Sequence, residues 1–328
     1  MTKYIILLLL LIINISGFTQ NNNIIINNMI NDVEITVFNK SEKNWVGGVV
    51  PVNFLIKNNT KHKIFLLLPY PNLTGLSFDT QSVVLKKKPQ EDLIIDERII
   101  PTKISSGETY EIVYFLNRYF NVASEGEFEI SYSLKTMIGM ENSEWSNRVY
   151  EGKFLIELKN PPSNEELEEQ YSYYSNQLKS DDKKLREEAA EALSFIDNPL
   201  CIDYIVPMLS IQNLETTGIE ALARFNTGET QQLISDMLSH RESFVVLTAI
   251  AALESMNVQI PRIKFIDMLS SENGSIVFIG LENLALTPDV DDKEYIIPLL
   301  EDPDPVIAEE AKKYYSLLID KESAFGNK

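Results

Sequence analysis

The amino-acid sequence predicts a multidomain chain, an all-β sandwich followed by an all-α array of about five stacked helix pairs. Three observations predict it. In the C-terminal half Leu193, Leu222, Leu253, Leu284 and Tyr315 stand 29, 31, 31 and 31 residues apart. Each is preceded four positions earlier by a small residue and eight positions earlier by an aliphatic one. In the N-terminal half, short runs of alternating apolar and polar residues are separated by turn residues, without helical periodicity. Between the halves Asn160, Pro161, Pro162 and Ser163 break both patterns.

Residues 1–19 come first. Lys3 is followed by YIILLLLLIINI and then by small and polar residues through Gln20. A basic start, an apolar stretch of about a dozen residues and a small-residue turn predict a secretory signal peptide cleaved between Gly17 and Gln20. The stretch is too short to favour a spanning helix, so no membrane insertion is expected after cleavage. Cys201 is the single cysteine, which rules out an intrachain disulfide, and its setting in a repeat predicts a small buried hydrophobe. Export without disulfides, together with heavy use of Asn, Ile and Lys, points to a bacterial periplasm or cell surface.

Residues 24–160 carry the β runs VEITVF, VPVNFLI, HKIFLLL, SVVLKK, TYEIVYFL, GEFEISYSL and GKFLIELK. Gly47, Gly48, Gly107, Gly126 and Gly152 mark turns between them. So many short strands in so short a span predict two sheets packed face to face. The stretch 106–134, with a glycine turn before EFEISYSL, resembles bacterial immunoglobulin-like domains. Phe128 occupies the place of that family's aromatic and has no hydroxyl to give, which leaves the strand order open. Lys86, Lys87 and Lys88 end one run ahead of Pro89 and are expected to protect a sheet edge.

At the joint, two prolines cannot continue a strand ladder. The sequence NEELEEQ follows at once, with acids placed where a helix N-terminus favours negative charge. Residues 164–320 then read as helix pairs, leaving 321–328 as a tail. The first helix of each pair ends in an apolar run and a break: YIVPMLS, LISDMLS, KFIDMLS, YIIPLLE. The second carries the ladder: Leu185, Ala189, Leu193; Leu214, Gly218, Leu222; Val245, Ala249, Leu253; Ile276, Gly280, Leu284; Ile307, Ala311, Tyr315. Positions i, i+4 and i+8 share one face, so each second helix presents an apolar stripe with a small residue at its centre. No single pair can bury that stripe, and stacking provides the missing partner. Asp304 before Pro305 is a good N-cap and first-turn pair.

DDKKLREEAAEAL, with Asp181, Leu185, Arg186, Ala189, Ala190, Ala192 and Leu193, resembles the second helix of a HEAT-like repeat of the short bacterial kind first described in phycobilisome lyases. The resemblance implies an α-solenoid that binds protein. It does not imply lyase activity, because fold and function separate easily. The pattern departs from the family at the arginine, whose later counterparts are Glu215, Val246, Val277 and Ala308.

Charge divides at the joint. Residues 1–163 hold 16 Lys and Arg against 17 Asp and Glu, while residues 164–328 hold 13 against 31, a net −18. Such an array repels nucleic-acid phosphates and anionic lipid and attracts a partner protein with a basic surface. The chemistry-bearing residues are sparse. His62 and His240 are the only histidines, too few for a His-based zinc site, and they lie in different domains with no catalytic partner nearby in sequence. Asp289, Asp291 and Asp292, and Asp302 with Asp304, are the densest carboxylates, but they lack the length and closing glutamate of a calcium loop and read as helix caps. No phosphate loop or dinucleotide fingerprint occurs, and no cofactor is expected.

These readings predict an exported bacterial scaffold or adaptor, not an enzyme, that binds a partner protein through an acidic repeat surface. Arg186, Glu187, Glu188, Glu191, Glu220 and Glu254 are the candidate contact residues, with Arg186 and Arg224 also suited to pinning helices internally. A second reading makes the sandwich a proteinase-inhibitor-like or carbohydrate-binding module with the array as a docking arm. For the carbohydrate case, Trp45 and Trp145 are the available aromatic platforms.

Overall fold

The computed structural model describes residues 28–30, 33–68, 75–88, 101–140 and 144–326. The signal-peptide reading therefore lies outside the described residues. Among them no helix is long and apolar enough to cross a membrane. The chain is β-rich first and helical afterwards, and it divides into two compact units between Tyr173 and Tyr174.

The first unit holds nine described strands: β1 (Asn28–Ile30), β2 (Val33–Phe38), β3 (Pro51–Asn58), β4 (Ile64–Leu67), β5 (Leu76–Asp79), β6 (Thr102–Ile104), β7 (Thr109–Phe115), β8 (Gly126–Met140) and β9 (Ser146–Leu158). They form two antiparallel sheets. One has the order β1-β2-β3-β7; the other has β5-β8-β4-β6, with β9 along the far side of β8. Alternation decides which side chains go inward. In β2, Val33, Ile35 and Val37 are buried and the residues between them are half-buried. Side chains from both sheets share one core, and Phe54 links them. Its ring meets Tyr114 of its own sheet at 5.2 Å, and Phe78 and Tyr132 of the other at 6.1 and 5.3 Å, all edge-on.

Buried asparagines tie the loops to this core. Asn117 accepts from the Val50 amide and donates to the Gly48 carbonyl, both at 2.8 Å. Asn58 donates to the carbonyls of His62 and Ile104, and Asn39 to that of Pro51. The sequence expectation fails at SVVLKK. Residues 82–88 are irregular, with one isolated bridge between Lys87 and Phe120, so the three lysines do not line a strand edge. The physical reason is local. The Ser82 hydroxyl accepts from the amides of Val84 and Leu85, and Leu85 alone turns into the core. The short strands β5 and β6 form instead.

The first helix, α1 (Asn164–Gln177), begins as part of the β-rich unit. Gln170 pairs with the Val49 backbone like a strand neighbour, accepting at 2.8 Å and donating at 3.0 Å. Tyr171 donates to the Gly47 carbonyl, and Lys43 pairs with Glu166 and Glu169 at 3.1 and 2.8 Å. These bonds explain why the division falls inside α1 rather than at Pro161 and Pro162.

Nine further helices follow: α2 (Lys183–Ser194), α3 (Ile202–Ile205), α4 (Glu215–Ala223), α5 (Gly228–Asp236), α6 (Ser243–Ser255), α7 (Arg262–Met268), α8 (Gly274–Leu286), α9 (Lys293–Ile296) and α10 (Pro305–Gly326). Where proline interrupts the first-helix runs, the α-helix is short and passes into a 3-10 turn, at Val206–Ser210 and Ile297–Glu301. Asn213, Asn226 and Asn257 take positive φ at helix joins. Caps hold the helix starts: Asp182 accepts from the amides of Lys184 and Leu185, and Asp304 from that of Val306.

Candidate interaction surface

The ladder side chains Leu193, Leu222, Leu253 and Leu284 are all buried, as are Ala189, Gly218, Ala249, Gly280 and Ala311. The small residues sit where the first helix or turn of the same pair comes closest. A Cβ on Gly218 would lie 2.9 Å from the Met208 Cβ, and one on Gly280 would lie 2.8 Å from the Phe265 carbonyl oxygen. Arg224 pins neighbouring pairs as expected. Its guanidinium lies 5.4 Å from the Phe195 ring centroid and donates to the Ile196 carbonyl at 3.3 Å.

The pattern departs at its two ends. Leu185, the first of the aliphatic set, is exposed. Its counterpart Ile307 packs over Gly274 at the start of the preceding second helix, and Leu185 has no preceding second helix to lie on. At the other end Tyr314, not Tyr315, is fully buried, and Tyr315 is half-buried.

Tyr314 is drawn in by a polar cluster that the sequence reading missed. Asp292, expected as a capping residue, is instead buried and bonded to Arg262, whose Nε donates to it at 3.0 Å and whose Nη2 reaches its other oxygen. The Tyr314 hydroxyl donates to the same carboxylate, and Arg262 also donates to the Thr287 carbonyl at 2.8 Å. Burial first, and the bond to Asp292 second, push the Tyr314 phenol well above its ordinary range. Of the remaining dense carboxylates, Asp289 and Asp304 cap, and Asp302 closes the turn before α10. Asp289 accepts from the Asp291 amide, Asp302 from that of Asp304. Burial raises the Cys201 thiol, which holds it in its neutral, unreactive form. Among the described residues no group of three or more His, Cys, Asp or Glu side chains could hold a metal ion.

The outward faces of the second helices carry the candidate contact residues. Arg186 donates at 2.6 Å to the Ser180 carbonyl and so holds the join before α2. Glu187 and Glu188 lie near Lys183 and Lys184 one turn earlier, at 3.4 and 3.7 Å. Glu191 is half-buried, whereas Glu220 and Glu254 are exposed. The six are therefore divided: four serve α2 or lie partly within it, and two face solvent.

Sequence reasoning missed an apolar patch on the same faces. Phe244 is 70% and Leu247 48% exposed, one turn apart on α6. A signal was present. At the equivalent ladder positions α2 carries Lys184 and Glu187, and the chain around α4 carries Asn213 and Thr216. Position-by-position comparison sets them apart from α2 and α4, while α8 and α10 carry Phe278 and the exposed Val306 at matching places.

No family description and no curated protein matches this chain. A solved structure named pT26-6p aligns with 91% of it at 11% identity and a TM-score of 0.21. The chain spans about half of that structure's length, 51%, and the likeness is too slight to carry fold or function.

Proposed function

We propose that the chain is an exported bacterial scaffold or adaptor: an immunoglobulin-like β-sandwich followed by a HEAT-like α-solenoid whose acidic face binds a partner protein with a basic surface. The reading is of a binding protein rather than an enzyme. The observation that carries it is the buried ladder repeated from α2 to α10, which leaves the other faces of the second helices to solvent with a net −18 concentrated in residues 164–328. Complementarity is the mechanism. Exposed carboxylates such as Glu220 and Glu254 raise the local concentration of a basic partner and select against anionic ones. Crosslinking mass spectrometry on intact cells, comparing the natural chain with Glu220→Lys/Glu254→Lys, tests this. Crosslinks from the second helices to one partner, lost in the variant and weakened by salt, support the reading; crosslinks confined to residues 33–158 and unchanged by the variant overturn it.

A second reading, glycan binding by the sandwich, is favoured by one observation. Trp145 is exposed and lies flat on Gly139, where a Cβ would come within 2.9 Å of its ring. Loss of glycan-array binding on Trp145→Ala would support that reading against the first.

A further inference from the structure

The apolar patch on α6 needs a cover that solvent does not supply, and the same chain displays a surface of matching chemistry. Residues 82–88 form a knob with 88% exposed Val83 and 50% exposed Val84, followed by exposed Lys86 and Lys87. The knob is held in shape. Leu85 is buried in the β-rich core, the Lys88 amide donates to the Tyr119 carbonyl at 2.7 Å, and the Asn121 amide donates to the Lys86 carbonyl at 2.8 Å. Two valines kept in water on a fixed backbone lose little further entropy on docking.

The receiving face has the opposite charge. Phe244, Leu247 and Ala251 run along the exposed side of α6, which packs between α4 and α8. Glu254 continues that side one turn beyond Ala251, and Glu282 of α8 is the ladder counterpart of Ala251. Both carboxylates are exposed. The arrangement is an apolar centre with acids beside it, facing a knob that is apolar first and basic two residues later.

We infer that the Val83, Val84, Lys86 and Lys87 knob of one copy docks on the Phe244 and Leu247 face of a second copy. The inference rests on reading the solenoid's outer face as a docking surface, and it names this chain as an occupant. Because the two patches differ, each copy offers both a knob and a face, so the contact either closes into a pair or ring or extends into an open chain, and in each case the mass rises with concentration.

Sedimentation of the purified full chain at low salt, up to about 1 mM, tests this with two surface variants. The natural chain is expected to gain mass steadily with concentration. Val83→Asp/Val84→Asp, lacking the knob, and Phe244→Asp/Leu247→Asp, lacking the face, are each expected to associate at least about tenfold more weakly. Mixed together, they retain one intact knob and one intact face and should form a pair that grows no further. Lys86→Glu/Lys87→Glu should weaken association, and Glu254→Lys/Glu282→Lys in the other copy should restore it, which gives a readout that does not depend on the aspartate variants folding. Residues 1–20 are common to all variants, so association through them would persist in every one. A natural chain that stays single at all concentrations, association unchanged in either aspartate variant, or a mixture that forms no pair overturns the inference. A single-chain result alongside partner crosslinks to the second helices would assign the face to another protein and leave the proposed function standing.

Discussion

The two units bury their apolar residues in different ways. The β-rich unit has one core, in which Phe54 touches aromatic side chains of both sheets and contacts join residues far apart in the chain. The helical unit builds its interior from a ladder that recurs about every 31 residues, each layer resting on the next. The first design makes stability collective, and its residues 1–173 hold 16 Lys and Arg against 21 Asp and Glu, a net −5. The second divides stability among layers, and its residues 174–328 hold 13 against 27, a net −14.

The comparison breaks most clearly at the core rings. Phe54→Ala should cost about 3–5 kcal/mol and unfold the first unit in one step, with denaturant transitions that coincide whichever strand is observed. Asp292→Ala removes the buried carboxylate shared by the half-buried Arg262 and by Tyr314, and should cost about 3 kcal/mol. Hydrogen exchange should place that loss in α7 to α10 and spare α2. An equal rise in exchange throughout the helical unit would show that its layers do not behave separately.

Gly280→Ala forces a Cβ toward the Phe265 carbonyl and should cost about 1–3 kcal/mol, read as a lower Tm. Gly218→Ala, which meets the Met208 Cβ fixed to its own backbone at 2.9 Å, should cost a comparable amount. The smallest effect is expected from Tyr314→Phe, about 1 kcal/mol at neutral pH. Its alkaline behaviour sharpens the point. A phenol whose folded value lies above the ordinary 10 favours the folded state while protonated, so its contribution is whole below pH 10 and is lost as pH rises beyond it. The natural chain should lose more stability than Tyr314→Phe between neutrality and strongly alkaline pH, measured as the difference between their denaturation midpoints.

Much of this was legible in residues alone where the signal is local and repeats. The ladder of Leu193, Leu222, Leu253 and Leu284 was readable because every copy samples the same helical face. The Asp182 and Asp304 caps were readable because a cap acts within three residues of itself. The exceptions each depend on a neighbour distant in sequence or absent. Leu185 is exposed for want of a preceding second helix, and SVVLKK yields its strand geometry to the Ser82 turn. Asp292 looks like a cap until Arg262 is brought to it from 30 residues away. Among the contact candidates, sequence picked out the charges and passed over Phe244 and Leu247, since on a largely apolar helix only their register against α2 and α4 shows that they lie off the ladder.

By itself, then, the order of residues determined a β-rich part, a helical part, the repeat that spaces the helices and the side of the joint on which the acid lies, because periodicity and charge are properties of the chain before it folds. Tertiary structure alone decided that α1 starts in the β-rich unit, that Asp292 is shared by Arg262 and Tyr314, and that a basic valine knob and an acid-flanked phenylalanine face are both left in water. Those outcomes turn on which surfaces remain uncovered once every element has found its neighbour, and no local pattern encodes that remainder.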